Sequence, residues 1–135
     1  MFAYTSRTPL AISVREDDLD LFRLLLRRGA DQDITSRGEA PVSRAARLSR
    51  HTMLQELLEH GADPNVAGSV AVVSAAQVGN IHGMLLLIEH GANIHAQEGV
   101  PGKALHLAAE YTHIDMIKLL LGKGVDVNAW GGEYG

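Results

Sequence analysis

Apolar residues in this chain recur at spacings of three and four, and the same arrangement returns four times. LLLRRGADQD (Leu24 to Asp33), ELLEHGADPN (Glu56 to Asn65), LLIEHGANIH (Leu86 to His95) and LLLGKGVDVN (Leu119 to Asn128) each bring a helical stripe to a glycine. The four glycines, Gly29, Gly61, Gly91 and Gly124, are 32, 30 and 33 residues apart. In all four cases a shorter stretch begins 21 residues earlier: TPLAISV at Thr8, APVSRAA at Ala40, VAVVSAA at Val70 and KALHLAA at Lys103. The constant 21 confines the variation in period to the segments between units, which predicts loops there.

Each unit is expected to hold two helices. The first begins near Pro9, Pro41 or their equivalents. It carries the small pairs Ala45 and Ala46, Ala75 and Ala76, Ala108 and Ala109, which let neighbouring helices approach closely. Thr8 before Pro9 is the clearest start signal, a capping hydroxyl ahead of a residue whose missing N–H costs nothing at the first helical position. The second helix supplies the larger apolar face, with Leu21, Phe22, Leu25 and Leu26 in unit one and Ile114, Ile117, Leu120 and Leu121 in unit four. The glycine that follows is placed for a left-handed cap. Gly83, inside the second helix of unit three, is expected to cost about 0.5 to 1 kcal/mol. No unit buries both helices alone, so stability depends on stacking, with about 1.5 to 3 kcal/mol for each fully buried Leu or Ile.

Four units in this register resemble the ankyrin repeat, whose period is about 33 residues and whose first helix carries a T-P-L-H-x-A signature. The resemblance runs from about Ala3 to the end. It implies an all-α ankyrin-repeat solenoid of four helix-turn-helix units joined by hairpin loops, at 3–34, 35–66, 67–97 and 98–130, with 131–135 opening an incomplete fifth unit. The family pairs the Thr and His of TPLH through a hydrogen bond. Here Thr8 stands with Ala11, Ala40 with Ser43, Val70 with Val73 and Lys103 with His106, so no unit keeps both partners. Unit two also departs at His51 and Glu56, where its sisters have Leu or Ile. The closing GGEYG resembles the opening of repeats in long fungal-type arrays, which implies a piece of a longer array. Trp130 and Tyr134 are then expected on or beside the next unit, or folded back near Ile114 and Leu121.

Composition narrows the chemistry. With 4% aromatic residues the core must be aliphatic, and with no cysteine there are no disulfides, thiolate ligands or thiol nucleophiles, which fits an intracellular location, cytoplasmic or nuclear. The N-terminus does not resemble a secretory signal, and no apolar run approaches the ~20 residues that span a bilayer. A formal charge of −4 argues against nucleic acid as a partner. Ser, His and Asp form no recognisable triad, and Gly131 and Gly132 precede no Lys or phosphate-cradling helix, so neither an enzyme nor a cofactor is expected. His60 and His90 occupy the same place in successive units but lack a third ligand at zinc spacing, and no metal is expected. The acidic run Glu16, Asp17, Asp18 and Asp20 is read as a helix connection whose carboxylates favour the next N-terminus. Asp63 with Asn65 and Asp126 with Asn128 resemble sites that an asparaginyl hydroxylase modifies in ankyrin repeats, and also suit turns in which these side chains satisfy backbone groups.

The resemblance implies non-catalytic protein recognition on the concave face of hairpin tips and first helices. Two positions follow each small pair and are expected there: Arg15 and Glu16, Arg47 and Leu48, Gln77 and Val78, Glu110 and Tyr111. Leu48, Val78 and Tyr111 form an apolar line, with Arg7, Arg37, Arg44 and Arg50 near Arg15 and Arg47 and with Trp130 beyond. The expected partner is a protein with an apolar anchor and an acidic segment, bound by a monomer. The competing expectation is a structural spacer within a longer array, with no ligand of its own.

Overall fold

A computed structural model describes residues 8–35, 39–97 and 100–129. Among them the chain forms four helical pairs: α1 (Pro9–Glu16) with α2 (Leu19–Arg27), α3 (Pro41–Arg47) with α4 (His51–Glu59), α5 (Val66–Val78) with α6 (Ile81–Glu89), and α7 (Lys103–Glu110) with α8 (Ile114–Gly122). The first helices α1, α3, α5 and α7 pack side by side in one row, and the second helices lie against it in another. This is an all-α solenoid. A short two-stranded ladder, β1 (Ala96–Gln97) antiparallel to β2 (Val100–Pro101), lies between the third and fourth pairs. No helix is long and apolar enough to cross a membrane among the described residues.

Thr8 caps α1 as its sequence suggests, its Oγ1 accepting from the Ala11 N–H at 3.1 Å ahead of Pro9. At the same place in the second pair Ala40 offers no side-chain cap, and the Ser43 hydroxyl lies buried with no hydrogen-bond partner among the described residues. Ala40→Ser is therefore expected to restore the missing cap and raise the unfolding free energy by about 1 kcal/mol, read as a higher urea midpoint at unchanged slope. Gly29, Gly61, Gly91 and Gly124 all hold left-handed backbone, φ 85° to 92°, at the ends of the second helices.

The linkers differ from one another more than a uniform hairpin predicts. α5 starts at Val66, four residues before its expected beginning at Val70, so half of the stretch between Gly61 and Val70 is helix rather than loop. Two causes are visible in the sequence. The stretch from Gly61 to Val70 is the shortest of the three linkers, and Ala71 stands in place of the proline that opens α1 and α3 and would halt extension toward the N-terminus.

The core lies between the rows. Phe22, Met53, Leu54, Leu57, Met84, Leu87, Met116 and Leu120 are fully buried from the second helices, facing Ala45, Ala46, Ala75 and Ala76 from the first. The small pairs permit the close packing of α3 on α5 and of α5 on α7. In the fourth pair Ile114 and Leu121 do not join this core. They stay exposed, while Met116 and Leu120 turn inward. The reason is positional. Val14, Ala46 and Ala76 are sealed by the following pair, but no described residue covers the equivalent side of α7 and α8, and Ala109 is exposed.

Gly83 also has an explanation that helix propensity misses. A Cβ there would run into the side chain of Asn80, 2.8 Å from its Cγ and nearer still to its Nδ2. Asn80 is buried and makes three hydrogen bonds. Its Oδ1 accepts from the Gly83 N–H at 2.8 Å and from the His51 Nε2 at 2.9 Å, and its Nδ2 donates to the Ala46 carbonyl at 2.9 Å. The glycine makes room for a capping side chain that also ties the third pair to the second.

Candidate partner-binding surface

The corners where first helices meet second helices repeat a single geometry with different residues. A left-handed residue ends each first helix, Asp17, Ser49, Gly79 or Thr112. The next residue, Asp18, Arg50, Asn80 or His113, stands at the N-cap of the second helix. Arg50 donates from Nε to the Val14 carbonyl at 3.1 Å and from Nη2 to the Arg15 carbonyl at 2.9 Å. Asn80 reaches Ala46 in the same way, and the His113 Nε2 donates to the Gln77 carbonyl at 2.9 Å. Each thus satisfies an orphan carbonyl at the end of the preceding first helix. Asp18 instead turns its Oδ1 to the Leu21 N–H and caps its own helix. The signal was present in the sequence, since these four polar residues all lie 11 positions before a cap glycine.

The opposite edge carries a second ladder. Asp31, Asp63, Asn93 and Asp126 each accept from the backbone N–H two residues on, within their own turn. Asn65 then spans to the next turn, its Oδ1 accepting from the Asn93 N–H at 2.7 Å and its Nδ2 donating to the Gly91 carbonyl at 3.1 Å. Asn65 therefore holds two turns together, and Asn128 has its backbone N–H on Asp126.

Arg15, Arg44, Arg47 and Arg50 are engaged within the fold. Arg47 makes two hydrogen bonds to Glu39, at 2.7 and 2.9 Å, which hold its guanidinium proton more firmly than usual. Arg44 is buried 3.3 Å from the same carboxylate, and Arg15 lies 2.9 Å from Glu16. Arg50 has Asp17 at 3.8 Å in addition to its two carbonyls. Arg7, Arg37, Trp130 and Tyr134 lie outside the described residues.

The apolar positions are more open. Leu48 is half-buried, Val78 is 40% exposed and Tyr111 is 51% exposed, with Gln77 and Glu110 in solvent beside them. The Tyr111 ring stacks on His113, centroids 6.5 Å apart and planes 26° from parallel. Beside it a shallow groove of about 360 Å³ runs between Gly79, Ile81, His113, Ile114 and Asp115. His60 and His90 are not turned to a common point. Each donates its Nδ1 proton to the carbonyl four residues earlier, at 2.7 and 3.0 Å, and so closes the end of its own helix.

On the outer row Arg23 grips Glu56 with bonds of 2.8 to 3.2 Å, so the carboxylate that interrupts the apolar stripe joins the first pair to the second. The hydrogen bonds from Arg23 hold the Glu56 carboxyl below its ordinary 4.5. A depressed carboxyl stabilises the fold above its unfolded pKa and loses that contribution as pH falls through the folded one. The stability difference between the wild type and Arg23→Gln should therefore be present at neutral pH and shrink below about pH 4.5, measured by urea unfolding across pH.

Comparison with known proteins agrees with this architecture. The family model for ankyrin repeats (3 copies) matches residues 3–67 and 66–130. The chain is 33% identical over 120 residues to alpha-latrocrustotoxin-Lt1a of Latrodectus tredecimguttatus, covering 85% of this chain and 8% of that protein. It is 29% identical over 132 residues to human SH3 and multiple ankyrin repeat domains protein 2, covering 93% of this chain and 7% of the relative. It is 32% identical over 132 residues to the mouse B-cell lymphoma 3 protein homolog, covering 91% of this chain and 30% of the relative. The chain thus spans less than a third of the length of each relative. On the family match and on the solenoid it predicts, the chain belongs to the ankyrin-repeat family.

Proposed function

We propose that this chain is a non-catalytic protein-recognition module whose contact surface is the open side of the first-helix row. Ankyrin repeats generally mediate protein–protein interaction, and the family is typically non-catalytic. The observation that carries the assignment to this face is the exposure of Val78 and Tyr111 at the same position of successive pairs, two residues beyond the paired alanines, of which Ala75, Ala76 and Ala108 are buried in the packed layer. Apolar side chains in register on the outside of a well-packed row are surface that a partner can desolvate. Leu48 continues the line, with Gln77 and Glu110 as its polar margin and Arg15 and Arg47 at the far end.

The proposed partner supplies an apolar anchor to this line. The arginines support an acidic partner segment less strongly, because Arg47 and Arg15 have carboxylates of their own at 2.7 and 2.9 Å. The double variant Val78→Ser with Tyr111→Ser tests the assignment in an affinity capture from the source cell. Proteins retained by the wild type should be lost by the variant, while the melting midpoint stays within about 3 °C. Equal retention by both would favour a spacer role instead.

A further inference from the structure

The histidines that meet in this fold are not the two at equivalent positions. His51 opens α4, where α2, α6 and α8 open on Leu19, Ile81 and Ile114. Across the packed helices α4 and α6 its ring lies against that of His82, with centroids 4.3 Å apart and planes 38° from parallel. The contact is interior to the array, with α2 beside α4 and α8 beside α6, so both helices have their neighbours in place. His51 is half-buried. His82 is exposed and makes no hydrogen bond or ion pair with a described residue.

The proton on His51 is fixed by its partner. The Asn80 Oδ1 accepts from the Gly83 N–H and the Asn80 Nδ2 donates to the Ala46 carbonyl, so the amide cannot be turned over without losing both bonds. The His51 Nε2, 2.9 Å from that Oδ1, is therefore the donor, and the neutral ring carries its lone pair on Nδ1. This is how imidazoles that bind metal ions are held, with one nitrogen kept as N–H by an oxygen and the other presented as ligand. Two imidazoles bound side by side on one ion, about 2.0 to 2.1 Å from it, have centroids roughly 4.5 to 5 Å apart. The observed 4.3 Å is within a small turn of the exposed His82 ring from that arrangement. His51 also borders an open groove of about 510 Å³ with Asp17 and Thr52, which admits water to the site.

We propose that His51 and His82 together bind one divalent transition-metal ion, copper(II) more tightly than zinc(II), through the His51 Nδ1 and a ring nitrogen of His82, and that the ion clamps α4 to α6. Neutral nitrogen donors select such ions over magnesium and calcium, which take oxygen ligands. No group of three His, Cys, Asp or Glu side chains gathers at one point among the described residues, so water completes the coordination. With two imidazoles as the only protein ligands, the ions rank by their affinity for imidazole, which places copper above zinc. His60 and His90 are the internal comparison, since each spends its Nδ1 on a carbonyl of its own helix.

Titration of the full chain with copper(II) alone and with zinc(II) alone, at about pH 7.5 where imidazole is neutral, tests the proposal. Copper should bind at one site per chain with the electron paramagnetic resonance pattern of two imidazole nitrogens. Either ion, at about a hundred times its Kd, should raise the melting midpoint by about 5 °C or more. His82→Gln should weaken binding by about tenfold or more and remove the rise. His51→Gln keeps an N–H for Asn80 while deleting the Nδ1 ligand, so it should lose the ion in the same way and still melt near the wild type in the absence of metal. His60→Gln and His90→Gln should bind as the wild type does. Affinity of His82→Gln within about twofold of wild type, or a loss shared equally by His60→Gln or His90→Gln, would mean an adventitious ion only and would overturn the proposal. An equal rise of the midpoint in wild type and His82→Gln would overturn it as well. Should His51→Gln fail to fold, His82→Gln decides alone, because its side chain is exposed.

Discussion

Asn80→Ala is expected to lower the unfolding free energy by about 3 kcal/mol, among the largest losses available from a polar residue in this chain. The side chain is buried and its three bonds serve two different purposes. The Gly83 N–H is one of the orphan donors at the start of α6, and the Ala46 carbonyl is an orphan acceptor at the end of α3. Truncation leaves both without a partner and opens the space that Gly83 provides. Asn80→Asp separates the purposes. It keeps an acceptor for the cap but turns the donor facing Ala46 into a second acceptor, so it should remain well below wild type. Urea unfolding followed by far-UV circular dichroism measures both; a loss under about 1 kcal/mol for Asn80→Ala would show that water replaces the side chain cheaply.

A matched pair of substitutions yields the second large effect. Ala76→Leu should cost about 1 to 3 kcal/mol, because Ala76 is fully buried where α5 meets α7 and added methylenes have nowhere to go. Ala109→Leu, at the same position one pair later, should change stability by less than about 0.5 kcal/mol, since that face of α7 is open. The contrast isolates stacking from helix propensity, because leucine and alanine are both good helix formers. Equal losses at the two sites would mean that the exposed side of α7 is covered after all.

The repeat made most of the fold legible. The spacing of small pairs and bulky stripes located all four helical pairs, and the cap glycines fell where the stripes ended. What it could not convey was contact across the repeat. Helix propensity marks Gly83 as a weakness, yet its role depends on Asn80, whose partners lie 29 and 34 residues back along the chain. The early start of α5 depended on the absence of a proline in a short linker, which a pattern search for loops passes over. Unit four looked like its sisters in sequence, but Ile114 and Leu121 stay in solvent because burial is decided by the neighbour and not by the helix.

The candidate surface was legible in part for the same reason. Counting two positions beyond each small pair located Val78 and Tyr111 on the outside. Counting could not show that Arg47 shares Glu39 with the buried Arg44, eight residues from one and five from the other across a helix start. A row of arginines in sequence therefore suggested more free positive charge than the folded surface holds.

The series Asp18, Arg50, Asn80 and His113 has a consequence for how such arrays can be rearranged. Three of these side chains bring a proton to the helix end behind them, and Asp18 cannot. Setting the first pair directly behind the end of another first helix would bring its carboxylate against a carbonyl oxygen, two acceptors with no hydrogen to share, whereas exchanging the second and third pairs would only trade one donor for another. The units look interchangeable in outline, but a single side chain makes their order directional.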